Sequence, residues 1–358
     1  MKSLLYLLFA VIVVLSSCDK TTPITPVVPS EYEFSENIEV GSQPAKIYYD
    51  NTTGLFHVFC LGKDVDYDGF KDADDENPSW WVINKNDLSN PQMKMEFDFG
   101  FMGFPFRPHF DLKDRTLFIS QSGKTKMYDI DNFSLISDDI GDYYASAISR
   151  KGDTLFISTN PEFGTSGKVI IYNYIAKQEV GSITGGLSVQ QTLYYELNGK
   201  KMLAILSEGL GNQDAMLLFT ELKSTGAEIV KTFEGIGNWG NYITMIGGKL
   251  YLILNLSHKI MEFNLNNFTI TKTFSTETSG YNGPREAVIV NTYDELYVTT
   301  YNGDVRVFNT KTGALKKTYQ VDSKAEGMYL LSDEMFLVCN ITQGVSTANN
   351  LVSVFLVK

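Results

Sequence analysis

The chain has 358 residues, with 30 Lys and Arg against 42 Asp and Glu, a net charge of −12 at pH 7. Apolar residues make up 43%, including 20 Tyr and 23 Phe, which is ample for a large core and argues against general disorder. The acidic balance, without any basic run, argues against a nucleic-acid partner, and three Cys with three His leave little room for a zinc site or a disulfide framework.

Met1-Lys2 begins the chain as a short positive segment, and Leu4 to Leu15 is an apolar run broken only by Tyr6. That run is too short for a membrane span, which needs about 20 residues. Leu15-Ser16-Ser17-Cys18 follows at once and resembles the lipobox of bacterial lipoproteins. The resemblance implies a signal peptide over 1–17 and a lipidated Cys18, palmitate-like chains anchoring the protein to a membrane without crossing it. From Asp19 to Ser30 the sequence holds three Pro and three Thr, so 18–32 reads as the lipidated Cys and a semi-extended tether. These features place the folded part, 33–358, in the cell envelope, on the outer membrane and facing the periplasm or the cell surface.

Glu33 to Val40 is the first β-like segment, with no obvious neighbour in sequence. Leu55 to Leu61 and Ser79 to Asn84 read as two further strands, and between them lies the sharpest chemical motif, Asp64-Val65-Asp66-Tyr67-Asp68-Gly69-Phe70-Lys71-Asp72-Ala73-Asp74-Asp75. Carboxylates at alternate positions, Asp64, Asp66 and Asp68, converge on one cation if the chain then turns, and Gly69 permits the turn. The Phe70 carbonyl, Asp72 and Asp75 complete the expected set, and hard oxygens favour Ca²⁺. The pattern resembles the calcium repeats of thrombospondin type 3, including Asn77-Pro78 afterwards. It departs from an EF-hand in having Asp75 at position twelve and no flanking helices. The alternative is a solvated acidic loop. With the cation, its expected role is structural.

The remaining chain repeats one template of strand, turn and alternating strand. It recurs in Thr116 to Ser120, Lys126 to Ile130 and Ser134 to Ile140, in Asp153 to Ser158, Lys168 to Asn173 and Gln178 to Ile183, and in Lys249 to Leu254, Lys259 to Asn264 and Thr269 to Phe274. Period-two alternation with Asn-Gly or Thr-Gly turns is the pattern of strands, so the domain is all-β. Lead-in positions near Ala45, Pro108, Ala145, Gln191, Tyr242, Pro284 and Ala325 are spaced by 63, 37, 46, 51, 42 and 41 residues, the first interval containing the acidic loop. Four strands per roughly 40 to 50 residues predict seven propeller blades. The last unit has only three strands, Met328 to Leu331, Met335 to Cys339 and Leu351 to Val357. The fourth is supplied by Glu33 to Val40, which closes the ring and removes an open edge. Val305-Arg306-Val307-Phe308-Asn309-Thr310-Lys311-Thr312-Gly313 resembles the blade phrase of seven-bladed propellers of the surface-layer or YVTN type. That resemblance extends to the vitamin B12-capture surface propellers of Bacteroides-type bacteria, and it implies a ligand-capturing lipoprotein.

The residues before each innermost strand crowd round the channel mouth in such a ring. Among them Arg107, His109, Tyr144, Gln191, Trp239, Tyr242, Tyr281 and Arg285 are the expected ligand contacts, since aromatics, amides and two Arg suit a large polar ligand. No catalytic motif occurs, and His109 beside Arg107 is the one candidate base, for a polysaccharide lyase or hydrolase. Cys60 and Cys339 read as buried thiols. The function expected is capture of a cobalamin- or siderophore-like nutrient for an outer-membrane uptake system, with a TonB-dependent receptor as partner. A protein-interaction scaffold and a glycan lyase are the alternatives.

Overall fold

The structure, a computed structural model, describes residues 31–65, 71–99, 107–121, 123–138, 140–143, 145–160, 165–209, 213–224, 226–331, 333–341 and 349–358. The signal peptide, Cys18, Asp66, Asp68, Phe70 and Tyr144 lie outside the described residues.

The repeated template becomes strands throughout. Chain order starts with β1 (Tyr32–Glu39) and runs into the first blade, β2 (Pro44–Asp50), β3 (Leu55–Cys60), β4 (Ser79–Asn84) and β5 (Asp87–Glu96). The second is β6 (His109–Asp111), β7 (Thr116–Gln121), β8 (Lys124–Asp129) and β9 (Ser134–Ser137). The third is β10 (Ala145–Lys151), β11 (Thr154–Thr159), β12 (Ser166–Asn173) and β13 (Gln178–Leu187). Next come β14 (Val189–Leu197), β15 (Lys200–Ser207), β16 (Met216–Lys223) and β17 (Gly226–Phe233), then β18 (Gly240–Ile246), β19 (Lys249–Leu254), β20 (Lys259–Asn264) and β21 (Thr269–Ser275). The sixth blade is β22 (Pro284–Val290), β23 (Glu295–Thr300), β24 (Asp304–Asn309) and β25 (Leu315–Gln320). The seventh is β26 (Lys324–Leu331), β27 (Met335–Ile341) and β28 (Leu351–Val357).

Each blade is a four-stranded antiparallel sheet in sequence order, except the seventh, ordered β1-β28-β27-β26. The N-terminal strand thus completes the last blade, with Tyr32 opposite Val357 and Glu39 opposite Leu351. The molecule is a seven-bladed β-propeller.

Burial explains the sequence pattern. Middle strands such as β15 and β27 are sandwiched between neighbouring blades and are buried on both faces, so they read as apolar runs. Outer strands such as β17 are almost wholly exposed. Seven apolar clusters fill the seven seams between blades. One holds Phe56, Val58 and Cys60 of the first blade against Leu337, Cys339 and Val352 of the seventh. Cys60 and Cys339 are both free and buried there, and burial raises both thiol pKa values. Backbones approach closely at the same seam: a Cβ on Gly327 would lie 2.4 Å from the Ala45 carbonyl oxygen. Among the described residues no helix is long and apolar enough to cross a membrane.

Candidate functional site at the channel mouth

Six inner strands shift register within their first residues, at Pro44/Lys46, Ala145/Ala147, Val189/Gln191, Gly240/Tyr242, Pro284/Ala287 and Ala325/Met328. A bulge adds a residue that has no partner across the ladder and re-aims the side chains beside it. Here the added residues are Ala45, Ser146, Gln190, Asn241, Arg285 with Glu286, and Glu326 with Gly327. The turn before the strand is left-handed in three blades, at Gln43, Ser188 and Trp239, with φ of 59°, 54° and 55°. For Trp this is a strained backbone that the surrounding structure must hold. The Asn255 amide does so in part, donating to the Trp239 carbonyl at 2.8 Å.

The bulged residues stitch blade to blade. Ser146 Oγ donates to the Val189 carbonyl. Gln191 clamps the Ile243 backbone with both ends of its amide, at 3.0 and 2.8 Å. Asn241 donates to the Arg285 carbonyl at 2.5 Å, and Thr299 Oγ1 to the Glu326 carbonyl at 2.7 Å.

Inside this hoop the axis is filled by charged and aromatic side chains. Lys46 Nζ of the first blade reaches Glu286 of the sixth at 2.5 Å and lies 5.5 Å from the ring centres of Tyr48 and Tyr242. Arg285 grips Glu326 through two 2.9 Å hydrogen bonds, and the Tyr301 hydroxyl donates to the same carboxylate at 2.6 Å. Arg107 of the second blade lies over the Tyr242 ring of the fifth, 5.0 Å from its centre. Burial raises the pKa of Tyr242 and Tyr301 and lowers that of Arg107. Burial also opposes the charge on Arg285, but Glu326, Tyr301 and Glu208 together outweigh it and hold the guanidinium above its usual range. Glu208, accepting from Ser188 at 3.0 Å and Gln190 at 2.7 Å, is pushed up by burial.

The expected contacts therefore divide. Arg285 and Gln191 are buried and committed to Glu326 and to the Ile243 backbone. Tyr242 lies beneath Arg107 and Lys46. Tyr281 is 68% exposed, 6.1 Å ring to ring from Trp239, whose buried indole Nε1–H has no acceptor among the described residues. His109 does not join Arg107 at the axis. Its Nε2 is 3.6 Å from Asp111, its ring lies 6.3 Å from Phe118, and burial lowers its pKa. Lys46, Glu286 and Glu326 stood in the lead-in sequences without being singled out. Glu208 and Tyr301 were missed, although each directly follows a second-strand apolar run, at Ser207 and Thr300, and that position was the signal.

The acidic loop springs from the same face. Lys63 and Glu76 pair across its base at 2.9 and 2.8 Å, and Ser42, in the first lead-in turn, donates to Glu76 at 2.6 Å. Gly62 at φ 76° lets the strands close there, since a Cβ would lie 2.3 Å from the Glu76 carbonyl. Asp75 is buried, and its two carboxylate oxygens accept the Asp72 and Val65 amides at 2.8 Å each, which lowers its pKa. Among the described residues no three acidic, Cys or His side chains gather as a metal set.

No family model matches the sequence, and no curated protein matches it. The fold is similar to the crystal structure of the WD40 beta propeller domain of Doa1, with a TM-score of 0.62 and 12% identity over 91% of this chain and 97% of that one. At that identity the likeness speaks for the propeller alone.

Proposed function

We propose that this propeller is a lipid-anchored protein of the cell envelope that captures a polar, stackable nutrient or cofactor at its channel mouth. The cargo proposed is cobalamin- or siderophore-like, handed to an outer-membrane uptake receptor of the TonB-dependent kind. Cys18 would carry the anchor. One observation supports this reading above others. Among the described residues most of the mouth's polar groups are committed to the ring itself, whereas Trp239 and Tyr281 present an aromatic pair with an unmatched indole N–H and one largely exposed ring. An aromatic platform with few polar groups around it suits a large planar ligand.

Calcium is proposed at the acidic loop, held by Asp64, Asp66, Asp68, the Phe70 carbonyl, Asp72 and Asp75. The donors are hard oxygens, which fit that ion, and Asp75 already draws the two ends of the loop together through the Val65 and Asp72 amides. The ion would neutralise the repelling carboxylates and set the loop beside the mouth.

The test is equilibrium binding of cyanocobalamin and of a ferric siderophore to the purified folded part. Trp239→Ala and Tyr281→Ala should each weaken binding tenfold or more while leaving the melting temperature unchanged. Wild-type protein that binds neither cargo would retire this reading, and variants that bind as tightly as wild type would move the site elsewhere.

A further inference from the structure

Among the described residues three buried cations gather at the axis of the ring, Lys46, Arg107 and Arg285, and two of them have their anions. Lys46 is matched by Glu286 and Arg285 by Glu326. Arg107 is the third. It is 8% exposed, and its Nε and Nη1 make no hydrogen bond among the described residues. The Tyr242 ring under it covers the π face of the guanidinium. The guanidinium's N–H donors lie in its plane, so that contact satisfies none of them. A buried donor without an acceptor is a net cost to the fold, and a larger one when the group is charged.

The nearby carboxylates are occupied. Glu286 serves Lys46, Glu326 serves Arg285 and Tyr301, and Glu208 accepts from Ser188 and Gln190. Among the described residues neither Nε nor Nη1 of Arg107 has an acceptor, on the face where Trp239 holds a second unmatched donor.

The geometry points to Arg107 as the receptor for a single oxyanion, a carboxylate or phosphate group, carried by the ligand that occupies the mouth. A guanidinium holds its N–H donors fixed in one plane around the charge, an arrangement that a lysine at the same place lacks. This inference rests on the proposed capture function and adds that the cargo is anionic at one end. It also accounts for an unpaired cation in a buried place, which would otherwise be a net cost to the fold.

The experiment follows the melting temperature of the folded part during titration with sodium phosphate and, separately, sodium acetate, at constant ionic strength. Wild type should show a saturable rise with at least one of the two, and the arm that responds identifies the oxyanion. Arg107→Gln should lose that response, its apparent affinity falling tenfold or more. It should also melt at or above the wild-type temperature in buffer without either anion, because an unmatched buried charge has been removed. Arg107→Lys should recover only part of the response. A wild type without a saturable rise, or an Arg107→Gln variant that keeps it, overturns the inference. Cargo binding is measured in parallel: loss of the cargo with the anion response intact would sink the capture reading and spare Arg107, and the reverse pattern would do the opposite.

Discussion

His57 lies in the middle of β3, 1% exposed, and its Nδ1 accepts the Trp80 indole N–H at 3.1 Å. Its proton is therefore on Nε2, which finds no partner among the described residues. Burial pushes its pKa down to about 4 from an ordinary 6.5. The unfolded chain thus takes up a proton near pH 6.5, while the folded one resists until about 4. Stability is unaffected above that window and falls as the pH drops through it, by on the order of 3 kcal/mol in all. Urea midpoints of wild type and His57→Phe at pH 7 and pH 5 check this: the variant should lose the acid sensitivity while giving up the Trp80 hydrogen bond. At this scale the sequence tells which residue types gather at the mouth. It does not tell which of them pair, because Lys46 and Glu286 lie 240 positions apart and meet only once the ring has curved them together.

The second and third strands of the fifth blade lie where the sequence placed them, from Lys249 to Leu254 and from Lys259 to Asn264. Their bulges were not legible. A bulge inserts one residue into an alternating run, and Ser146 between Ala145 and Ala147 gives no local sign that it will turn toward a neighbouring blade. That is why Gln191 and Arg285 read as ligand contacts although the structure ties them into the hoop. The acidic loop stands out in the sequence by its spacing, and its base is a β-bridge between Lys63 and Glu76. With calcium bound there, EDTA should lower the melting temperature by several degrees, and the triple change Asp64, Asp66, Asp68→Asn should abolish that response. Identical melts with and without EDTA would dismiss the ion.

Counting lead-in positions gave seven units, and the unpartnered first strand gave the closure, so the architecture was open to reading from period and spacing alone. What fills the axis was not, since curvature decides which side chains converge. β1 buries Tyr32 and Ile38 in the seams on either side of the seventh blade and covers the edge of β28. Deleting 32–39 while keeping the preceding segment should expose that edge and lower stability by several kcal/mol, from two large apolar side chains and a lost ladder. Urea unfolding with size-exclusion chromatography reads the outcome: an earlier midpoint together with self-association is expected, and a variant that unfolds like wild type would refute the clasp.

The pairing of β1 with β28 also dictates a timetable. Ser353 hydrogen-bonds Asn37 across 316 positions of chain. During synthesis the earliest strand must therefore wait for the latest, and six blades stand as an open arc in the meantime. Contacts of such long range are slow to form. Until the circle shuts, the unpaired edge of β28 is open to the wrong strand.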